Sequence, residues 1–187
     1  MSMRNKIIAF MHQKIAILDE EKPYSVAARA KLRQSIGKPL DSVPNVWDII
    51  LSSDDDLGKN ATESMYTAIG LYALHRQGKP ESMNEKGIGF GKAIAGLARG
   101  DEEKQKSVTR KFNAVATSTG FSELAHHARS LVQMLKSENI KMDYPRFACD
   151  LYAFQFPEGA GKLRLRWGEE FYQTLYKNEK ENDKNEK

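Results

Sequence analysis

A single cysteine, Cys149, stands in a chain of 187 residues. It excludes a disulfide within the chain and argues against a cysteine-built metal site. Strand signals are scarce, because no hairpin dipeptide sits between alternating apolar runs. No apolar run approaches the ~18 residues that suggest a membrane span. The N-terminal stretch 1–18 is interrupted by Arg4, Lys6, His12 and Lys14, unlike a signal peptide. A cytoplasmic protein with no membrane partner is expected. There is no internal repeat of solenoid length and no large charge excess. The 29 Lys and Arg against 25 Asp and Glu leave +4, a sum that favours acidic partners only weakly. Hydrophobic residues at 40% and charged residues at 29% argue against general disorder.

What the chain has instead is helical periodicity. Ile7, Ile8, Met11, Ile15 and Leu18 mark a first amphipathic helix, ended by Asp19-Glu20-Glu21 and Pro23. Residues 25–36 read as a second, stopped by Gly37 and Pro39. A short helix at 44–51 offers Val46, Trp47, Ile49 and Ile50 to a core. Asn60-Ala61-Thr62-Glu63 resembles a capping box. The helix behind it, from Met65 to Leu74, is apolar nearly all round and belongs in the centre of a bundle. Residues 77–87 are expected as a long exposed connection. Helices follow at 90–99, from near Asp101 with Val108, Phe112 and Val115 on one face, at 121–139, and behind an Asp143 cap. Phe156-Pro157-Glu158-Gly159-Ala160-Gly161 is expected as a loop before a last helix, where Leu163, Trp167 and Phe171 share a face. The spacing predicts an all-α, two-lobed helical bundle of roughly eight to nine helices. The division expected is an N-terminal helical lobe over 1–98, a C-terminal helical bundle over 99–176 and a disordered charged tail over 177–187.

Signals of catalysis are few. Asp54-Asp55-Asp56 could bind Mg²⁺ in a metal-dependent nuclease, but no second acidic cluster completes such a site. His126 and His127 are adjacent and point roughly 100° apart on a helix, so they do not chelate one ion together. Cys149 lies in an apolar helix with no nearby histidine, where an inert thiol is expected. Gly87-Ile88-Gly89-Phe90-Gly91-Lys92 lacks the spacing of a nucleotide-hydrolysing loop, though a glycine-rich helix start can hold one backbone phosphate.

Charge distribution says more than its sum. Residues 22–40 carry Lys22, Arg29, Lys31, Arg33 and Lys38 with no carboxylate. Residues 104–122 carry Lys104, Lys106, Arg110 and Lys111, again with none. Arg29 and Arg33 are i, i+4 neighbours at the edge of an apolar face, where planar guanidinium groups expect an anionic partner. That partner is either a phosphate or an internal carboxylate such as Asp48 or Glu63. Lys106, Arg110, Asn113 and Thr117 share the face opposite Val108 and Phe112, which suits phosphate-oxygen contacts or a plain solvated face. The aromatic residues read as core, so any nucleic-acid binding is expected to be phosphate-dominated.

Three segments together resemble one family. The stretch from Ala27 through Arg29, Lys31 and Leu32 to Arg33 is similar to the A-x-L-R-R segment of the CasB small-subunit family of the type I-E CRISPR Cascade complex. Gly87-Ile88-Gly89-Phe90-Gly91-Lys92-Ala93-Ile94 resembles its G-[IL]-x-[LF]-G-[RK]-A-[LI] segment. Leu163-Arg164-Leu165-Arg166-Trp167-Gly168-Glu169-Glu170-Phe171-Tyr172 resembles its closing [RW]-W-G-x-x-F signature. Gln34 departs from the pattern where a second arginine is common, and Arg29 stands one turn earlier as a substitute. The resemblance implies a non-enzymatic, all-helical subunit without cofactor or small-molecule substrate. Its implied partners are other Cascade subunits, a second copy of itself, crRNA, and the target or displaced DNA strand, stabilised in the R-loop. Arg29, Lys31, Arg33, Lys38, Lys92, Lys106, Arg110, Lys111, Arg164 and Arg166 are the candidate nucleic-acid contacts. The alternative is a purely structural scaffold whose arginines make protein salt bridges.

Overall fold

The computed structural model describes residues 1–51, 57–100 and 102–185, with backbone alone at 178, 179 and 181–185. Its regular elements are helical, as the periodicity predicts. Ser2 Oγ accepts from Asn5 N at 3.3 Å and opens α1 (Met3–Asp19), which buries Ile7, Phe10, Met11, Ile15 and Leu18. Pro23, at a first-turn position where its missing N–H is no loss, starts α2 (Pro23–Ser35). Two 3₁₀ turns, Leu40–Ser42 and Pro44–Val46, lead into the short α3 (Trp47–Ile50). Then come α4 (Gly58–His75), α5 (Phe90–Leu97), α6 (Glu102–Ala116), α7 (Phe121–Ser137), α8 (Tyr144–Phe154) and α9 (Pro157–Asn185).

The all-round apolar helix is the hub of the N-terminal half. α4 packs on α1, α2, α7 and α8, and Met65, Ala68, Ile69, Leu71, Tyr72 and Ala73 are buried on every side of it. The second group forms around α9, which lies along α5 and also touches α6 and α8. Phe90 packs against Trp167 at 4.7 Å between ring centroids and stacks on Phe147 at 5.0 Å. Phe112 stacks on Phe171 at 4.2 Å. Aromatic pairs of this kind add about 0.5–1.5 kcal/mol to their area burial. Because α7 and α8 contact members of both groups, the two lobes share one buried core.

Several local expectations are corrected. The capping box does not form: Leu57 is buried and draws the helix start to Gly58. Asn60 therefore sits inside the first turn, its carbonyl accepting from Ser64 Oγ at 2.7 Å and Gln155 Nε2 at 2.9 Å. The connection over 77–87 is fastened rather than free. Met83 is buried, Glu85 N donates to Met142 O at 3.0 Å, and a lone bridge couples Asn84 to Met142. The loop expected over 156–161 is the first turn of α9, begun by Pro157. A Cβ on Gly159 would meet Ala153 O at 2.2 Å, so glycine there permits the tight reversal between α8 and α9. Helix α9 also runs past residue 176 into the stretch read as a tail, to Asn185. The Lys and Glu residues of that stretch, interspersed with Asn and Asp, are good helix formers and here extend a helix already nucleated. The Asp143 cap forms as expected, with Oδ1 accepting from Arg146 N at 3.0 Å.

Candidate nucleic-acid interface

The cations divide by what their donors meet. Arg29 is buried, and its guanidinium turns inward to the end of α1, where four carbonyls lack helical partners. It donates to Leu18 O at 2.5 Å and Glu20 O at 3.0 Å, and pairs with Glu21 Oε2 at 3.0 Å. Arg76, also buried, joins the same corner through Asp19 at 3.3 Å and Glu21 at 3.0 Å. Asp19 in turn accepts from the Tyr72 hydroxyl. Burial, the Asp19 contact and its charge push that phenol far above its ordinary range. Arg164 donates to Ser118 O at 2.6 Å, with its guanidinium 5.4 Å from the Phe154 ring centroid. Arg166 pairs with Asp150, whose other oxygen accepts from Trp167 Nε1 at 2.8 Å. Arg146 pairs with Glu170. Arg29, Arg164 and Arg166 were candidate nucleic-acid contacts; each has protein acceptors because it lies where helix ends and buried carboxylates need donors.

The glycine segment is also claimed from within. The Glu170 carboxylate lies against Gly89 at the start of α5, where an anion would gather. A Cβ on Gly91 would meet Trp167 O at 2.3 Å, so this glycine exists for helix–helix approach. Lys92 points to solvent on the other side of α5.

Other cations lack such partners. Lys31 has Asp48 at 3.8 Å and Lys106 has Glu102 at 2.7 Å, both exposed pairs of the kind worth little. Among the described residues, the side chains of Arg33, Lys38, Lys92, Arg110 and Lys111 have no ion-pair or hydrogen-bond partner. Arg33 is partly buried, and burial followed by the nearby Arg29 charge lowers its pKa. Across from it on α7, burial and then the Arg33 and Lys79 charges lower the pKa of Lys136. Arg33 on α2 and Lys79, in the turn after α4, thus both bear on Lys136 of α7 with like charge. Lys79, Arg129 and Lys136 lie outside the carboxylate-free stretches 22–40 and 104–122, with Glu81, Glu123 and Glu138 near them in sequence. Arg129 and Lys136 lie seven apart on α7 and so share a face, which is the signal that could have found them.

Two grooves carry some of these side chains: Lys38 and Arg129 line one, Lys106 and Arg110 the other. One, of about 780 Å³, runs between the end of α2, α4 and the start of α7, with Lys38, Lys59, Arg129, Trp47 and Tyr66 among its lining. The other, of about 830 Å³, lies between α6 and α9 and includes Lys106, Arg110, Asn113, Tyr172 and Tyr176. His126 borders the first, and its ring stands edge-on to His127 at 5.5 Å. No group of three or more His, Cys, Asp or Glu able to hold a metal occurs among the described residues, and Asp54-Asp55-Asp56 lie outside them. Burial pushes the Cys149 thiol up to about 11, away from thiolate chemistry. Among the described residues no helix is long and apolar enough to cross a membrane.

Fold and surface define a small all-α protein with arginine-locked helix ends and cation-bearing grooves. A profile of the family described as CRISPR-associated protein Cse2 matches residues 28–172, reaching from the first motif segment to the end of the third. The chain belongs to this Cse2 (CasB) family, a membership that supports a Cascade subunit. Comparison with curated protein sequences found no match. The crystal structure of CasB from Thermobifida fusca is 25% identical with a TM-score of 0.74, over 90% of this chain and 97% of that one. CasB from Thermus thermophilus is 22% identical with a TM-score of 0.71, over 92% and 99%. CasB from M. ruber is 23% identical with a TM-score of 0.66, over 96% and 97%; the last two show the fold alone.

Proposed function

We propose that this protein is a non-catalytic small subunit of the type I-E Cascade complex. It holds nucleic-acid backbone in the guide–target region or the displaced strand, and so favours the opened duplex. A subunit that binds only the open state shifts the equilibrium toward it without chemistry. Arg33, Lys38, Lys92, Arg110 and Lys111 are the phosphate contacts, joined by Lys79, Arg129 and Lys136. Lys31 and Lys106 add charge to the same surfaces, while Arg29, Arg164 and Arg166 serve the fold. Other Cascade subunits and a second copy complete the assembly in the cytoplasm.

The observation that carries this reading is the Arg33–Lys79–Lys136 cluster, in which the like charges of Arg33 and Lys79 add to burial in lowering the Lys136 pKa. Such an arrangement costs stability in the free protein and is relieved by a polyanion. The scaffold alternative draws on the inward arginines but gives these outward cations no role. Affinity for a single strand, measured against salt, separates the two. Arg33→Ala with Lys136→Ala should shallow the slope of log affinity against log salt by about 0.7 per lost phosphate contact. The thermal midpoint should hold or rise, since repulsion is removed. An unchanged slope with a lowered midpoint would favour the scaffold reading.

A further inference from the structure

Most large aromatic side chains are in the core, but two on α9 are not. Tyr172 is 51% exposed and Tyr176 is 58% exposed. They are one turn apart, so both rings stand on one side of the helix, turned away from the buried Trp167 and Phe171. Both line the open groove shared with α6, together with Lys106, paired with Glu102 at its rim, and Gln105, Arg110 and Asn113. Among the described residues each ring has a single ring or cation contact. Tyr172 meets the buried Phe171 at right angles with centroids 5.1 Å apart, and Lys180 Nζ lies 4.4 Å from the Tyr176 centroid. Arg110 has no partner among the described residues. The groove thus joins flat apolar faces, cations and the neutral amide of Asn113 over a few side chains.

We propose that this groove is a base-stacking platform for single-stranded nucleic acid, with Tyr172 and Tyr176 receiving unstacked bases while Arg110 and Lys106 hold the adjoining phosphates. The inference rests on the nucleic-acid reading above and sharpens it, because phosphate contacts alone do not distinguish an open strand from a duplex. Bases in a duplex have their faces covered, so rings that need a free base face select the open strand. Charge decides the occupant: a protein helix docking on the tyrosines would bring no counter-charge for Arg110 unless acidic, whereas a strand brings one at every nucleotide. The amide group of Asn113 adds sequence-tolerant hydrogen bonding, as expected for a site that reads no particular base.

The test uses the full chain and two oligonucleotides of equal length, one with bases and one with abasic spacers, each in DNA and RNA form. Wild type should bind the base-bearing strand about tenfold more tightly than the abasic one. Tyr172→Ala with Tyr176→Ala should abolish that difference and leave the salt slope unchanged, while Phe at both positions retains it. Arg110→Ala should instead shallow the slope by about 0.7. If the alanine pair lowers the thermal midpoint, Leu at both positions keeps apolar bulk without a ring and takes its place. Equal affinity of wild type for both strands, with the salt dependence intact, overturns the platform and leaves the phosphate reading standing. Affinity that ignores salt overturns the phosphate reading and this inference with it. A change in the protein's mass in solution on removing the rings, with strand affinity unaltered, marks a protein-docking face and also overturns the platform.

Discussion

Arg29 and Arg33 stand one turn apart on α2 and have opposite surroundings. Arg29 closes the end of α1 with two carbonyl bonds and a carboxylate. Arg33 has solvent on one side and like charge on the other. Arg29→Met keeps the apolar stem but leaves the Leu18 and Glu20 carbonyls without a donor in a closed corner. The expected loss is about 3 kcal/mol, read as a lower midpoint in chemical or thermal denaturation, with the salt slope of strand binding unchanged. Both arginines were legible as members of one cationic edge that needs an anionic partner. What separates them is where the last turn of α1 lies, which the turn into α2 fixes and the local pattern of α2 does not contain. Arg164 and Arg166 fell to the same limit: their acceptors, Ser118 O and Asp150, come from other helices.

Among the elements, α5 and α9 depend on each other most. An isolated helix of eight residues is not stable in water, so α5 exists because α9 covers it. The approach is set at Gly91, where any side chain would strike the backbone of Trp167. Gly91→Ala should therefore cost about 3 kcal/mol, since backbone on both sides resists movement. Differential scanning calorimetry would check it, with the exposed Lys92→Ala expected to leave the midpoint unmoved. The apolar face of α9 was readable from Leu163, Trp167 and Phe171, all buried. The use of the glycines was not, because glycine before a helix serves an anion and a close helix crossing equally well. Only the position of Glu170 against Gly89 decides between them. Tyr172 and Tyr176 were read as core because the apolar spacing runs on past Phe171. They fall on the far side of the helix, a matter of which neighbours α9 has there.

Over the whole molecule, helix number and class were legible because periodicity is local, whereas the grooves form between helices distant in sequence. The same holds for buried ionisable groups. His75 is fully buried, 2.9 Å from the Tyr144 hydroxyl through Nδ1. Burial, then the charges of Lys79 and Lys136, push its pKa from 6.5 down to about 4. The unfolded chain thus binds the proton more readily than the folded one, so stability should fall as pH drops from 6.5 through about 4. The limit is about 1.4 kcal/mol per pH unit. Asp150 works in the other sense, its carboxyl raised by burial, so the informative quantity is the difference between wild type and His75→Gln. Urea denaturation across that range should give a shallower acid slope for the variant, and parallel curves would count against the assignment. The order of the helices along the chain has a consequence for synthesis. α4 and α5 leave the ribosome before α8 and α9, the helices that cover them. Until the segment around Trp167 emerges, Phe90 and Ile94 have no lid, and long-range closure of this kind is slow and exposed to aggregation. Folding of both lobes is therefore a late event in translation, and a chaperone that attends this chain would meet it at α4 and α5.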